Sequence, residues 1–193
     1  MAKKIFGFKP IETVWNGYRF RSRTEARWAV FFTHLNMPFE YEKEGFRLED
    51  GTFYLPDFWL PDLNMWLEIK GAPPSDDEIT KAELLCSGNG NPVGIFHGLP
   101  GENQGIVIAN SIFGCGGGRI RFNDVDWGTT TGGKLGLALW PKSERILNED
   151  IVICDDRWLT ITRFNEQYFP SGPFVESASI AARSARFEFG QKP

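Results

Sequence analysis

Two short segments decide the fold: Tyr54-Leu55-Pro56-Asp57-Phe58 and, eight residues further on, Leu67-Glu68-Ile69-Lys70-Gly71. Each belongs to a strand-forming run that turn residues close, over 61–64 and 71–74. Because side chains alternate between the two faces of a strand, Glu68 and Lys70 share one face. The turn between the runs is short, so Asp57 can lie beside Glu68. The sequence therefore predicts two carboxylates and an ammonium on one side of a hairpin.

Helices and strands alternate around this hairpin. Residues 22–36 predict a helix, because Ser22 and Glu25 form a capping-box pattern and apolar residues recur at helical spacing. Ser75 is a good cap for a second helix. The strands of an antiparallel meander, the second helix and a final buried strand are predicted at Phe39–Leu48, Phe53–Leu60, Met65–Lys70, Asp76–Cys86 and Val93–His97. The predicted order over 22–97 is αβββαβ.

The second half of the chain is rich in glycine and in strand-forming residues. Strands are predicted here without a place in a sheet, at Gly105–Asn110, Arg119–Phe122, Leu135–Trp140 and Ile151–Cys154. A last helix is predicted over Val175–Phe189. We expect an α/β fold with a central mixed sheet flanked by helices: a core at 15–97, a β-rich extension at 98–174, and a C-terminal helix and tail at 175–193.

The predicted cluster at the hairpin is unfavourable unless a cation binds to it. Two neighbouring carboxylates repel each other, and one of them takes up a proton. A hard divalent cation such as Mg²⁺ or Mn²⁺ relieves this repulsion, and Mg²⁺ accepts one or two carboxylates while it keeps water for a substrate phosphate. Lys70 can orient that water or stabilise developing negative charge. Glu25, on the first helix, can reach the site directly or through water. These groups suit phosphodiester hydrolysis.

The same residues carry a family resemblance. Pro56-Asp57, ten intervening residues and Glu68-Ile69-Lys70 resemble the PD-(D/E)XK motif of restriction-endonuclease-like nucleases, and Ser22-Arg23-Thr24-Glu25 resembles the acidic first helix of that family. Small nucleases encoded by bacteriophages and mobile elements are the most similar kind.

This resemblance covers about half of the chain and implies the role of each residue in a restriction-endonuclease-like core. Asp57 and Glu68 would bind metal together with the Ile69 carbonyl, Lys70 would be the catalytic lysine, and Glu25 would assist. Lys81 falls on the second helix, where the family often places a supporting polar residue that would face the nucleic acid.

Basic residues are concentrated at the start of the chain. The net charge is −4, yet residues 1–36 hold seven Lys and Arg against two Glu. Either these side chains form a solvated charged face, or those near the first helix contact phosphates, as arginine does well. The predicted phosphate contacts are Arg19, Arg21, Arg23 and Arg27. Arg183 and Arg186, in a segment loosely similar to the tail of some phage nucleases, either contact DNA or pair with Glu176 and Glu188.

We expect a metal-dependent endonuclease that hydrolyses DNA, with RNA left open as a substrate. One active site cuts one strand, so a double-strand cut needs a homodimer or two events. The alternative is a catalytically silent module on a nuclease fold that binds nucleic acid or protein, such as a phage inhibitor or assembly factor. The intact set Glu25, Asp57, Glu68 and Lys70 argues against this alternative, because binding alone does not require all four residues.

The sequence gives no sign of a membrane segment or an export signal. The three cysteines are odd in number and widely spaced, so neither a disulfide framework nor a zinc site is expected. We expect reduced, buried cysteines and a cytoplasmic protein, located in the bacterial host cell if a phage encodes it.

Overall fold

The computed structural model describes residues 10–102, 104–109, 118–129, 135–141, 150–154, 157–161 and 173–187. Within them, helix α1 spans Arg23–His34, α2 spans Asp76–Asn89 and α3 spans Pro173–Ser184. A single 3-10 turn at Pro61–Leu63 precedes Asn64, whose left-handed backbone (φ 48°) closes the turn. The strands before α2 are β1 Thr13–Trp15, β2 Tyr18–Phe20, β3 Glu40–Tyr41, β4 Phe46–Arg47, β5 Phe53–Tyr54, β6 Phe58–Leu60 and β7 Met65–Lys70. Those after α2 are β8 Val93–His97, β9 Gln104–Ala109, β10 Gly118–Thr129, β11 Leu135–Pro141, β12 Asp150–Cys154 and β13 Arg157–Ile161.

Nine of the described strands form one mixed sheet in the order β13-β12-β11-β10-β9-β8-β7-β6-β3. Among them β7 and β8 are parallel, because α2 carries the chain from the end of β7 back to the start of β8; the other neighbours are antiparallel. Two small hairpins, β1–β2 and β4–β5, lie outside this sheet. The architecture is therefore mixed α/β.

The middle of the sheet is covered on both faces. Met65, Leu67 and Ile69 point toward α1 and α3 in one apolar cluster. Trp66 points the other way, into a second cluster with α2. Side chains alternate along β7, so Glu68 and Lys70 lie on the same face as Trp66, toward α2, at the end of the strand. The sequence predicts that Glu68 and Lys70 share one face.

The predicted first helix is confirmed, since Ser22 caps α1 through its side chain and Trp28, Phe31 and Phe32 are fully buried. The predicted strands Phe39–Leu48 and Phe53–Leu60 are wrong as continuous elements. The first breaks after Tyr41, where Glu42 adopts a left-handed backbone (φ 46°), and leaves β3 and β4. The second breaks at 55–57 into β5 and β6, of which β5 pairs with β4 instead of joining the main sheet.

The described parts of the region 98–174 add five strands to the main sheet. β9 pairs with β8, and β10 to β13 continue outward as antiparallel neighbours. The predicted strands at 105–109, 119–122, 135–140 and 151–154 are confirmed, whereas β1, β2 and β13 were not predicted. The last helix is shorter than predicted and ends at Ser184. The predicted ends Asn110 and Phe189, and Cys115, lie outside the described residues.

Candidate active site

Asp57 and Glu68 lie side by side across the β6–β7 pair. Phe58 is opposite Leu67 in the register, which places the preceding Asp57 opposite Glu68. Both residues are buried, with 2% and 6% of their surface exposed. Oδ2 of Asp57 accepts a 2.7 Å hydrogen bond from the Ile69 backbone N–H. Burial and then the charges of Glu68 and Glu25 raise the pKa of Asp57 well above its ordinary value, against the opposing effects of the Ile69 N–H and Arg21.

Lys70 lies between two carboxylates. Its Nζ is 2.7 Å from Oε1 of Glu68 and 3.0 Å from Oε1 of Glu78, which projects from the first turn of α2. Burial opposes ionisation of the lysine, but the charges and hydrogen bonds of Glu68 and Glu78 together outweigh burial and raise the pKa of Lys70. Lys70 is therefore an ammonium at neutral pH. Its second anchor, Glu78, also closes a capping box with Ser75, so the start of α2 is coupled to the position of this ammonium.

Glu25 is held at the start of α1 by three donors. Its Oε1 accepts from the Ser22 hydroxyl at 2.6 Å, and its Oε2 accepts from the Arg21 backbone N–H at 3.0 Å and the Tyr41 hydroxyl at 2.7 Å. The reciprocal bond of a capping box would run to the backbone N–H of Ser22. Here the carboxylate reaches back one residue further, to Arg21, and faces the charged site.

Arg21 places a second cation at the carboxylates. Its Nη2 is 2.9 Å from Oδ1 of Asp57, and its Nε is 2.6 Å from Oε1 of Glu42. The backbone N–H of Glu42 donates in turn to the Asp57 carbonyl at 2.8 Å. Asp57 is thus satisfied on both oxygens, one by Ile69 and one by Arg21. Oε2 of Glu68, by contrast, is buried and meets no donor among the described residues.

Tyr54 adds a neutral hydroxyl close to the acids. It lies in β5, and burial followed by the charges of Glu68 and Asp57 raises its pKa well above the ordinary value of 10. The phenol therefore keeps its proton at neutral pH beside Glu68. Its position depends on the separate β4–β5 hairpin, which folds over the α2 face of the sheet.

The carboxylates of Glu25, Asp57 and Glu68 and the cations of Arg21 and Lys70 meet in one cavity of about 510 Å³. Arg21 and Arg23 contribute to its wall, and residues 10–11 and Gly71 form other parts of its lining. All the residues predicted as catalytic or as metal ligands line it as well: Glu25, Asp57, Glu68, Ile69 and Lys70. The structure therefore brings together the four predicted catalytic side chains, which are separated by up to 45 positions in the sequence.

The donor set fits a small divalent cation in part. Within the described part of the chain, no group of three or more His, Cys, Asp or Glu side chains is arranged to hold a metal ion. Mg²⁺, however, needs only one or two protein carboxylates and fills its other positions with water. Such a cation would explain two features of the site. One is Oε2 of Glu68, which meets no donor among the described residues, and the other is the raised pKa of Asp57. Glu25 is committed to three donors and is better placed to act through water.

The other predicted contacts are dispersed. Arg19 pairs with Glu12 on the exposed β1–β2 hairpin. Arg27 is half-buried one turn beyond Arg23 and is not part of the cavity wall. Lys81 lies near Asp50 at the β4–β5 turn, where its charge contributes to a lowered pKa of Asp50. Arg183 is exposed and donates to the Ser179 carbonyl at 3.3 Å, and Arg186 is exposed beyond the end of α3. The structure does not bring these five side chains to the cavity.

Four residues at the site were not predicted from the sequence, namely Tyr41, Glu42, Tyr54 and Glu78. Glu78 had a visible signal, because Ser75-x-x-Glu78 is a capping-box pattern and the first turn of α2 follows β7 closely. The other three had none. Their positions depend on the strand breaks at Glu42 and at 55–57. No turn residue at Glu42 predicts the first of these breaks.

The chain matches no protein-family model, and neither a curated protein nor a solved structure is significantly similar to it. Of the described helices, none is long and apolar enough to cross a membrane.

Proposed function

We propose that this protein is a metal-dependent nuclease that hydrolyses DNA phosphodiester bonds as an endonuclease, on a restriction-endonuclease-like core. The observation that carries the proposal is the opposition of Asp57 and Glu68, both buried, with Lys70 beside Glu68 and one oxygen of Glu68 without a donor. Buried acids and a half-buried ammonium in a cavity are arranged for chemistry more often than for stability, because each is costly to desolvate.

The connectivity around the site supports the core assignment. Helix α1 carries Glu25, β6 and β7 form the antiparallel pair that carries Asp57 and Glu68, and α2 leads to the parallel strand β8. This is the αβββαβ order that the resemblance implies, although the first predicted strand is reduced to the two residues of β3 in the main sheet.

Each side chain has a distinct task in the proposed reaction. Asp57 and Glu68, with the Ile69 carbonyl, would hold Mg²⁺ or Mn²⁺, which when bound supplies a more acidic water and neutralises charge on the phosphate. The Lys70 ammonium, fixed by Glu68 and Glu78, orients the attacking water and stabilises negative charge that develops on the phosphate. Arg21 and Arg23, in the cavity wall, are positioned for phosphate oxygens. Glu25, held by Ser22, Arg21 and Tyr41, would position a water at the edge of the site.

The proposal is tested with supercoiled plasmid and the purified chain, with and without Mg²⁺ or Mn²⁺. We expect metal-dependent nicking or linearisation by the wild-type protein and none by Asp57→Ala of equal thermal stability. The same reactions with a labelled RNA of matched sequence decide between DNA and RNA. Cleavage by Asp57→Ala at the wild-type rate would remove the site assignment.

A second candidate function is a silent binding module on the same fold. One observation favours it: Arg21 already neutralises Asp57, as a structural ion pair would. Retention of DNA in a gel shift, without cleavage under any metal, would favour this candidate. Neither cutting nor binding would point to a protein partner. The homodimer and the cytoplasmic location remain predictions, and gel filtration with and without DNA tests the first.

A further inference from the structure

Arg21 is anchored in a way that leaves its guanidinium able to move. Its backbone N–H is fixed by Glu25 and by the Tyr41 hydroxyl, at 3.0 Å each. Its side chain is about half exposed, at 52%, whereas the Asp57 side chain that it meets is only 3% exposed. An arginine on a rigid backbone with an exposed stem can exchange one partner for another without moving the strand.

Glu42 provides a second partner for this guanidinium. Its carboxylate is 2.6 Å from Nε of Arg21 and is 29% exposed, outside the buried pair. Glu42 adopts a left-handed backbone (φ 46°), an uncommon conformation for a residue with a side chain. The hydrogen bond from its N–H to the Asp57 carbonyl holds it there. Arg21 therefore spans an inner carboxylate and an outer one.

A divalent cation and Arg21 compete for the same carboxylate. Oδ2 of Asp57 accepts from the Ile69 N–H at 2.7 Å, and Oδ1 meets Nη2 of Arg21 at 2.9 Å. A metal ion bound at Oδ1 would lie close to the guanidinium, and two cations beside one carboxylate oxygen repel each other. Binding of the metal at Oδ1 therefore favours withdrawal of the Arg21 guanidinium.

We propose that Arg21 is a displaceable internal cation, which neutralises Asp57 in the metal-free protein and withdraws toward Glu42 and the substrate phosphate when a divalent cation binds. The inference rests on the proposed metal site at Asp57 and Glu68. It predicts that Arg21 lowers the affinity of the site for the metal, because the Arg21–Asp57 ion pair must break whenever a metal ion binds.

The test measures Mn²⁺ binding to the full chain by isothermal titration calorimetry at one fixed pH, without nucleic acid. Arg21→Gln is expected to lower the Kd for Mn²⁺ by about fivefold or more, the usual lower range for two coupled binding events. Arg19→Gln is the matched control, since Arg19 lies in β2, two residues before Arg21, and pairs with the exposed Glu12. Its Kd is expected to equal that of the wild type.

Arg21→Lys provides a second variant that preserves the charge. The single ammonium of lysine cannot contact Glu42 and Asp57 together as the guanidinium does. The Kd of Arg21→Lys for Mn²⁺ should therefore lie between those of the wild type and Arg21→Gln. Thermal shift gives an independent readout: metal-free Arg21→Gln should melt below the wild type, and saturating Mn²⁺ should raise its melting temperature by more. An unchanged or weaker affinity in Arg21→Gln would overturn the inference.

The outcome is separable from that of the proposed function. Metal binding that Asp57→Asn removes and Arg21→Gln strengthens, without any DNA cleavage, would support this inference while the nuclease proposal failed. Cleavage with identical Mn²⁺ affinity in wild type and Arg21→Gln would overturn the inference alone. The absence of metal binding in the wild type and in all Arg21 variants would overturn both.

Discussion

The backbone N–H of Ile69 donates a 2.7 Å hydrogen bond to Oδ2 of Asp57. Asp57 immediately precedes β6. Its side chain therefore joins it to β7, in place of the backbone hydrogen bond that a residue within the strand would make. This bond also fixes the carboxylate plane against the strand that carries Glu68 and Lys70. The geometry of the acidic pair is therefore set by the backbone of β7, and substitutions at Asp57 that keep the acceptor oxygen test chemistry more than architecture.

Asp57→Asn is expected to abolish cleavage, by about 100-fold or more, while the fold persists. The amide keeps the volume and can still accept from the Ile69 N–H, but it is a poor ligand for a hard cation. Initial nicking rates at saturating Mg²⁺, together with far-UV circular dichroism, measure the two effects. A variant that cuts within threefold of the wild type would show that Asp57 does not hold the metal.

Lys70→Ala and Lys81→Ala are expected to differ sharply. Lys70 bridges Glu68 and Glu78 in the cavity, and its loss removes the charge that stabilises the transition state, for which about 100-fold in rate is typical. Lys81 lies near Asp50 at the β4–β5 turn, away from the cavity wall. Its substitution should leave the cleavage rate within twofold of the wild type. Equal losses in the two variants would restore a functional role to Lys81.

The hairpin carrying the acids was predictable because its signals are local. Alternation fixes which residues share a face of β7, and capping residues fix the starts of α1 and α2. The distribution of Asp57, Glu68 and Lys70 follows directly from these rules. Lys81 was misplaced because helical phase was inferred from a family pattern: it is Glu78, one turn earlier, that faces the end of β7.

Long-range pairing was not predictable from these local signals. Nothing within 39–48 predicts that Glu42 breaks the strand, since this depends on its N–H bonding to the Asp57 carbonyl fifteen residues later. The strands of 98–161 could be recognised but not ordered, because antiparallel neighbours are specified by packing across the sheet. The β1–β2 hairpin was missed although Asn16-Gly17 is a strong turn signal, with both residues at positive φ.

Tyr41→Phe tests whether Glu25 acts in the reaction. The hydroxyl donates to Oε2 of Glu25 and accepts from the Arg21 N–H, so its removal loosens both. We expect a fall in cleavage rate of about tenfold, the lower end for outer partners of a metal site, and a loss of about 1–2 kcal/mol in the free energy of unfolding. Tyr18→Phe is the control, because Tyr18 packs on the same aromatic group through its ring. An unaffected rate in Tyr41→Phe would leave Glu25 as a helix cap only.

Glu78→Gln is expected to change the acid sensitivity of the fold. Partial burial opposes ionisation, but the Ser75 N–H and the Lys70 ammonium outweigh it and lower the pKa of Glu78 below its ordinary value of 4.5. A lowered pKa in the folded state gives stability that is complete above about pH 4.5 and is lost as pH falls through the folded value. The side chain is about one-third exposed, so solvent screening limits the effect to roughly 0.5 kcal/mol.

The measurement for Glu78 is urea unfolding of both proteins between pH 3 and pH 7. Glu78→Gln should be less stable than the wild type at pH 7, and the difference should shrink toward pH 3. A difference that is constant across this range would mean that the capping geometry, and not the charge, makes the contribution of Glu78.

Trp127→Ala tests whether the strands after residue 98 are part of the same folding unit as the site. Trp127 is fully buried, and its ring lies 5.7 to 6.3 Å from the rings of Trp28, Phe31, Phe32 and Phe96. Three of these residues are on α1, the helix that positions Glu25. Truncation of a buried tryptophan costs about 3–5 kcal/mol, a large share of the stability of a domain.

We expect Trp127→Ala to lose free energy of unfolding in this range by urea unfolding, with tryptophan fluorescence and far-UV circular dichroism giving one coincident transition. Phe53→Ala, at a side chain that is 79% exposed, is the control and should change little. A loss below about 1 kcal/mol, or two separate transitions, would mean that residues 15–97 hold the site without the strands that follow.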